Sequence, residues 1–300
     1  MECILCKNNT VKKKFFYSNQ EIYDKYNLIN NKFSMNNLEK YFVGNYTMLL
    51  ECTTCKVQFF DKVVPADGEF YSMLVDNSTS YYKTDRDEFD FAIQKILDTD
   101  AKKILEIGAG NGHFADRVQE VFDIYVTELN PHARNKLIEK GHKLDSKGNT
   151  YDFIVSFQVL EHIKDPNLFL TEIVNKLDRG GYIFLSVPND CSDYSEVHRE
   201  APLNLPPHHM SRWNKAALNA IGEIFNLEVI EYYEEILNIK EYDNLVDSIR
   251  REIPLKGLFD SFEDTIKQKE LINIISRTIL PLEFMKKKYT GHSHGILLKK

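Results

Sequence analysis

Ile104-Leu105-Glu106-Ile107-Gly108-Ala109-Gly110-Asn111-Gly112 is the stretch whose reading decides the fold. An apolar run feeds straight into an acidic turn punctuated by glycines. Ile104, Leu105 and Ile107 supply a buried strand, and His113 to Val118 begin a helix. Glycine lets the backbone bend sharply and come close to a ligand where a Cβ would collide. A strand, a glycine turn and a helix N-terminus in succession make a nucleotide site.

Spacing separates two kinds of nucleotide site. A dinucleotide fingerprint, G-x-G-x-x-G, would need glycine at 113, where the chain has His113. The pattern is instead E-x-G-x-G-x-G, from Glu106 to Gly112, and it resembles motif I of the class I S-adenosylmethionine (SAM) methyltransferases. The following strand, Ile124 to Thr127, ends at Glu128. An acid there can accept both ribose hydroxyl protons, an arrangement that serves NAD and SAM alike.

The rest of the chain alternates. A helix over 86–97 precedes the glycine strand, and a helix over 131–140 follows Glu128 and is closed by Gly141. Lys143 to Asp145 is a short third strand. Tyr151 to Phe157 is a fourth, nearly all apolar, as an interior parallel strand should be. Asp165 and Pro166 open a helix that runs through Phe169, Ile173, Val174 and Leu177, and Gly180-Gly181 is expected to end it. Tyr182 to Val187 is the fifth strand, Leu227 to Tyr232 the sixth and Ile296 to Leu298 the last, with Gly291 to Gly295 as its entry turn. Such alternation predicts an α/β fold, a mostly parallel Rossmann-like sheet covered on both faces by helices.

The segments around Tyr151–Ile163 and Leu177–Asn189 resemble the fourth and fifth strands of small-molecule class I methyltransferases. The string Pro206 to Trp213 resembles a loop of a subset of them, leading into a helix over 214–225. The resemblance implies SAM as cofactor and an antiparallel last strand. It implies cofactor contacts from Glu106, Gly108, Ala109, Gly110, Gly112, Glu128, Leu129, Asp145, Phe157 and Gln158. Tyr81 and Tyr82 either close over the methionine end or act as packing anchors.

Cysteines give a second signal. Cys3-x-x-Cys6 and Cys52-x-x-Cys55 are two knuckles whose spacing lets both thiolates of each reach one tetrahedral ion. The second lies in a predicted hairpin, 46–50 and 57–60. The expected module is a structural zinc site over residues 1–75, resembling a zinc ribbon with a separation longer than the usual ~15–20 residues. Two disulfides would be unusual without a secretory signal. A four-cysteine module on such a domain resembles bacterial methyltransferases of sugar and glycan pathways.

The chain of 300 residues is 43% hydrophobic and carries a formal charge of −7. That balance argues against a general grip on nucleic-acid phosphate. No apolar run approaches the roughly 20 residues needed to span a bilayer, so a cytoplasmic protein is expected. The expected organisation is a zinc module (1–75), a SAM-binding core (80–235), a helical insertion (236–289) serving as substrate lid or homodimer face, and a final strand (290–300).

Methyl transfer to a hydroxyl requires alignment, exclusion of water and removal of one proton. Loops at the carboxyl ends of strands four and five carry the candidates: His162, Asn189, Tyr194, His198, His208 and His209. Histidine suits the base role because its ordinary pKa lies near working pH. His208 and His209 lead, with His162 beside them. The favoured reading is O-methylation of a small polar acceptor such as a sugar or glycan precursor. A zinc-ribbon RNA methyltransferase and a non-catalytic SAM-binding subunit are the competing readings.

Overall fold

The computed structural model describes residues 1–29, 32–75, 86–192, 199–236 and 290–300. Two sheets organise them. The larger has seven strands: β4 (Lys103–Ile107), β5 (Asp123–Thr127), β6 (Lys143–Leu144), β7 (Tyr151–Phe157), β8 (Leu177–Pro188), β10 (Glu228–Ile236) and β11 (Thr290–Lys299). Their order is β10-β11-β8-β7-β4-β5-β6. The pairings β4–β5, β4–β7, β5–β6 and β7–β8 are parallel, and β11 runs antiparallel to both β8 and β10. This is the Rossmann-like arrangement with a reversed strand near one edge.

Successive side chains of a strand point to opposite faces, so each central strand feeds two cores. On one face Leu105, Ile154, Ile183 and Leu185 pack with Leu170 and Ile173 of α7 (Pro166–Lys176) and Leu218 and Ile221 of α8 (Lys215–Phe225). On the other, Ile104, Phe153, Val155 and Phe184 meet α4 (Asp87–Leu97) and α5 (His113–Val118). α4 buries Phe89, Ala92 and Ile96, a helical-period stripe. Asp165 caps α7 through the Leu168 amide with Pro166 at its first position, and Asn214 caps α8 through Ala217. Asn130 accepts from His132 and Ala133 to start α6 (Pro131–Glu139).

The smaller sheet, order β1-β2-β3-β9, is antiparallel throughout. β1 (Val11–Ser18), β2 (Tyr46–Cys52) and β3 (Gln58–Phe60) come from the N-terminal region, whereas β9 is Ser211–Arg212. The N-terminal region also contributes α1 (Asn19–Ile29), α2 (Met35–Leu38) and α3 (Gly68–Val75). Its aromatic core of Tyr26, Phe33 and Phe70 takes in Leu205 and Met210 from the later loop. Residues 1–75 and the larger sheet therefore share a core: Cys3, Leu5, Cys52, Cys55 and Val57 lie in the same apolar layer as Leu170, Ile173 and Trp213.

Two local expectations need correction. The helix through Ile173 ends at Lys176, not at Gly180-Gly181. Leu177 is already extended and pairs with Tyr151, and the next pairing is Tyr182 with Phe153, so Asp178 to Gly181 form a bulge inside β8. Gly291 to Gly295 are not an entry turn. Sheet pairing captures them: Ser293 to Gly295 lie opposite Pro188 to Ser186 of β8. The expected helical insertion, Tyr81, Tyr82, Tyr194 and His198 lie outside the described residues, apart from Ile236 at the end of β10.

Leu5, fully buried between the first knuckle and α7, should cost about 2–5 kcal/mol of stability when replaced by alanine. Urea unfolding of Leu5→Ala against the parent measures this. His294 is completely buried in β11 beside the Tyr232 hydroxyl (2.6 Å), and burial pushes its pKa down to about 4. The unfolded chain binds that proton below about 6.5. Stability should therefore fall as pH drops from about 6.5 to 4, because the unfolded state gains protons that the native state excludes. His294→Gln should flatten that part of the urea-midpoint profile against pH.

Candidate active site and metal sites

The β4 turn is held by a carboxylate. Glu128 accepts the Gly110 amide on one oxygen and the Asn130 amide on the other, both at 2.7 Å. It thereby ties the glycine loop to the loop after β5. Gly108 and Ala109 donate to the Thr127 carbonyl at 3.0 Å, closing the same seam. Gly108 has φ +75°, and a Cβ there would lie 2.5 Å from a Val159 methyl. Each Glu128 oxygen keeps a second lone pair that can accept a hydroxyl.

A cavity of about 990 Å³ opens over this turn. Glu106, Gly108, Ala109, Gly110, Glu128, Leu129, Asp145, Phe157, Gln158, His162, His208 and His209 all line it. Thus most of the sequence-derived cofactor candidates and the three leading histidines converge. Tyr82 is not among the described residues. Gly112 does not line the cavity; it packs against α6, where a Cβ would meet Leu137 at 2.7 Å and His142 at 3.0 Å. Glycine at 112 permits this close approach.

Individual side chains qualify the expectations. Glu106 is buried, its Oε2 has no hydrogen-bond partner among the described residues, and burial raises its pKa well above the carboxylate range. Such a group needs a ligand or solvent partner. Asp145 accepts from Tyr151 and pairs with Lys176 at 2.8 Å, so both of its oxygens already have protein contacts. Gln158 has φ +55° and donates to Glu88 (3.2 Å) and Ser293 (3.3 Å). Asn189 bridges structurally to Trp213 and Glu234 and is not part of the cavity wall.

The three histidines meet at one end of the cavity. His162 sits in the 3₁₀ turn Leu160–His162, directly after β7. Its Nδ1 donates to the His208 carbonyl at 2.6 Å, and the Met210 amide donates to the Glu161 carbonyl at 2.8 Å. These two bonds pin the 206–210 loop onto that turn. Ring centroids lie 4.5 Å (162–208), 4.9 Å (162–209) and 4.7 Å (208–209) apart. Burial lowers all three pKa values, that of His162 to about 4, which holds the rings neutral and makes them poor bases at neutral pH. Beside them Glu161 is buried, and burial raises its pKa to about 8.

Sequence reasoning missed two contributors. Pro65, Ala66, Asp67, Gly68 and Tyr71, from the N-terminal region, form one wall of the cavity. The Pro-Ala-Asp-Gly turn signal was the only hint. Arg86, at the head of α4, brings a guanidinium to the cavity and pairs with buried Glu88 at 3.1 Å.

The four cysteines form a second cluster, with all sulfurs within 4.8 Å of one another. Cys3–Cys55 and Cys6–Cys52 are each 3.5 Å apart, and none is in a disulfide. Bonds of about 2.3 Å to a tetrahedral ion would space sulfurs about 3.8 Å apart, so the donor set fits one Zn²⁺. The two turns are built alike. Lys7 and Lys56, each after a second cysteine, have φ +59° and +64° and donate to the carbonyls of Cys3 and Cys52. Both turns dock on helix starts: Asn167 donates to the Leu5 carbonyl (2.7 Å) and Asn214 to that of Lys56 (3.3 Å).

No helix among the described residues is long and apolar enough to cross a membrane. Comparison with known proteins agrees with the site. A protein named "Probable S-adenosylmethionine-dependent methyltransferase" from Mycolicibacterium smegmatis is 30% identical over 139 residues, covering 43% of this chain and 52% of its own length. A "Ubiquinone biosynthesis O-methyltransferase" of Vibrio atlanticus is 28% identical over 116 residues, 33% of this chain and 48% of that protein. The chain thus spans about half the length of the curated relatives it matches. A SAM dependent methyltransferase structure from Archaeoglobus fulgidus aligns with a TM-score of 0.49 at 18% identity, over 77% of this chain and 100% of that one. Residues 82–232, half of the sequence, match the methyltransferase domain family, and the chain belongs to that family.

Proposed function

We propose that the protein is a SAM-dependent O-methyltransferase of a small polar acceptor, such as a sugar or glycan precursor, and works in the cytoplasm. The observation that carries the cofactor reading is the seam between Glu128 and the glycine turn. It presents the Glu128 carboxylate, the buried Glu106 and a closely approached backbone to one cavity. When bound, SAM supplies a methyl group already activated by its sulfonium. Glu128 would accept the ribose hydroxyls on its second lone pairs, and Arg86 offers a cation for the amino-acid carboxylate. Asp145 would contact the adenine while held by Tyr151 and Lys176.

Transfer to oxygen is supported by the names of relatives described as O-methyltransferases. A small polar acceptor is supported by the cavity, whose ~990 Å³ accommodates a cofactor with a modest second ligand. The net charge of −7 speaks against RNA. The N-terminal wall at Pro65–Tyr71 shields the acceptor end from water. Zinc in the cysteine cluster would hold both knuckles on α7 and α8, a structural role. Unbridged thiols fit a reducing compartment.

Glu128→Ala should weaken SAM binding by roughly 1–3 kcal/mol, read by calorimetry. Undiminished affinity would reject the ribose assignment. Cys52→Ser should lose the bound zinc measured by elemental analysis and lower the thermal midpoint. Retention of both metal and stability would reject the tetrathiolate.

A further inference from the structure

The histidine cluster has the makings of a second metal centre, distinct from the cysteines. His162, His208 and His209 each offer one ring nitrogen, and these nitrogens all lie within 4.8 Å of one another. Bonds of about 2.0–2.1 Å to a shared ion would bring them to about 3.4 Å.

The proton positions suit a metal. A carbonyl can only accept, so the contacts of His162 Nδ1 with the His208 carbonyl (2.6 Å) and of His208 Nδ1 with the Leu203 carbonyl (2.8 Å) place those protons on Nδ1. The lone pairs of His162 and His208 are then on Nε2. A ligating histidine characteristically has this second bond, which fixes its tautomer and aim.

A fourth group lies beside the rings. Glu161 is 2% exposed, its Oε2 has no hydrogen-bond partner among the described residues, and its Oε1 lies 3.7 Å from His162 Nε2. Access exists as well: His162 retains 19% of its side-chain exposure, and all three rings belong to the cavity wall.

We propose that His162, His208 and His209 bind one divalent transition-metal ion, such as Zn²⁺, whose remaining coordination positions face the cavity and take an oxygen of the methyl acceptor. Three protein ligands with an open position characterise catalytic rather than structural zinc. The role as acceptor anchor rests on the methyltransferase reading. A hydroxyl bound to the ion releases its proton to water more readily. The oxygen lone pair then forms the O–CH₃ bond while the C–S pair returns to sulfur, giving a methyl ether, S-adenosylhomocysteine and one proton.

The test counts metal on the full chain. Chelator-stripped protein is reloaded with Zn²⁺, and separately with Co²⁺, then freed of excess ion. The expected result is two ions per chain. Cys52→Ser should lose the ion that gives the thiolate-to-cobalt charge-transfer band. His162→Gln should lose the other and keep that band. X-ray absorption of the loaded parent chain, which depends on no variant folding, should show both a sulfur-only and a nitrogen/oxygen site. One ion per chain with sulfur ligands alone overturns the proposal, as does an unchanged two-ion count in His162→Gln. SAM calorimetry on the same samples separates the readings. SAM uptake with one sulfur-bound ion sinks the histidine site alone. Two ions without SAM uptake sink the acceptor role together with the methyltransferase reading.

Discussion

Everything in this molecule depends on one stretch being hydrogen-bonded on both sides. Residues 205–213 pass between the two sheets. On one side Phe60 donates to the Met210 carbonyl, Ala66 donates to that of Pro207, and β9 extends the small sheet beyond β3. On the other, Met210 donates to Glu161, His162 grips the His208 carbonyl, and Trp213 bridges to Asn189 beside β8. Backbone groups used twice in this way leave the segment little freedom, and the side chains it carries inherit that precision. The positions of His208 and His209, the wall at Pro65–Tyr71 and the packing of Trp213 follow from it.

The cofactor half of the site is organised by shorter-range forces. Glu128 joins loops that are adjacent because β4 and β5 are adjacent, and the glycine turn then needs only local conformation to fit. The histidine half needs contacts between residues about forty-six positions apart, so it exists only after the whole fold has closed. The two halves of one cavity thus rest on different kinds of order.

This difference also explains what the sequence revealed. The parallel strands were legible because Ile104–Ile107 and Tyr151–Phe157 are mostly apolar runs between turn signals. The helix starts were legible because Pro131, Pro166 and Asn214 mark them chemically. Less legible was the end of α7, since Leu177 continues the helical period and leaves it only because Tyr151 offers a strand partner. The Gly291–Gly295 segment looked like a turn by composition, and pairing with β8 and β10 overrode that preference. In the site, Glu106 to Glu128 were found by spacing. Gly112 satisfied the same spacing yet serves packing against α6. Arg86 and Tyr71 carried no local signature, because their relevance comes from where α4 and α3 are laid down.

The shared apolar layer beneath the cysteine knuckles has a broader consequence. One wall of the cavity is furnished by Pro65–Tyr71 and another by the turn after β4, two separate stretches of the chain. Mutations that reshape the entrance need not disturb the nucleoside cradle, and the reverse holds as well. A lineage built on this plan can change its clientele by editing its first quarter, provided that the layer joining Leu5, Val57 and Trp213 continues to hold the entrance in place.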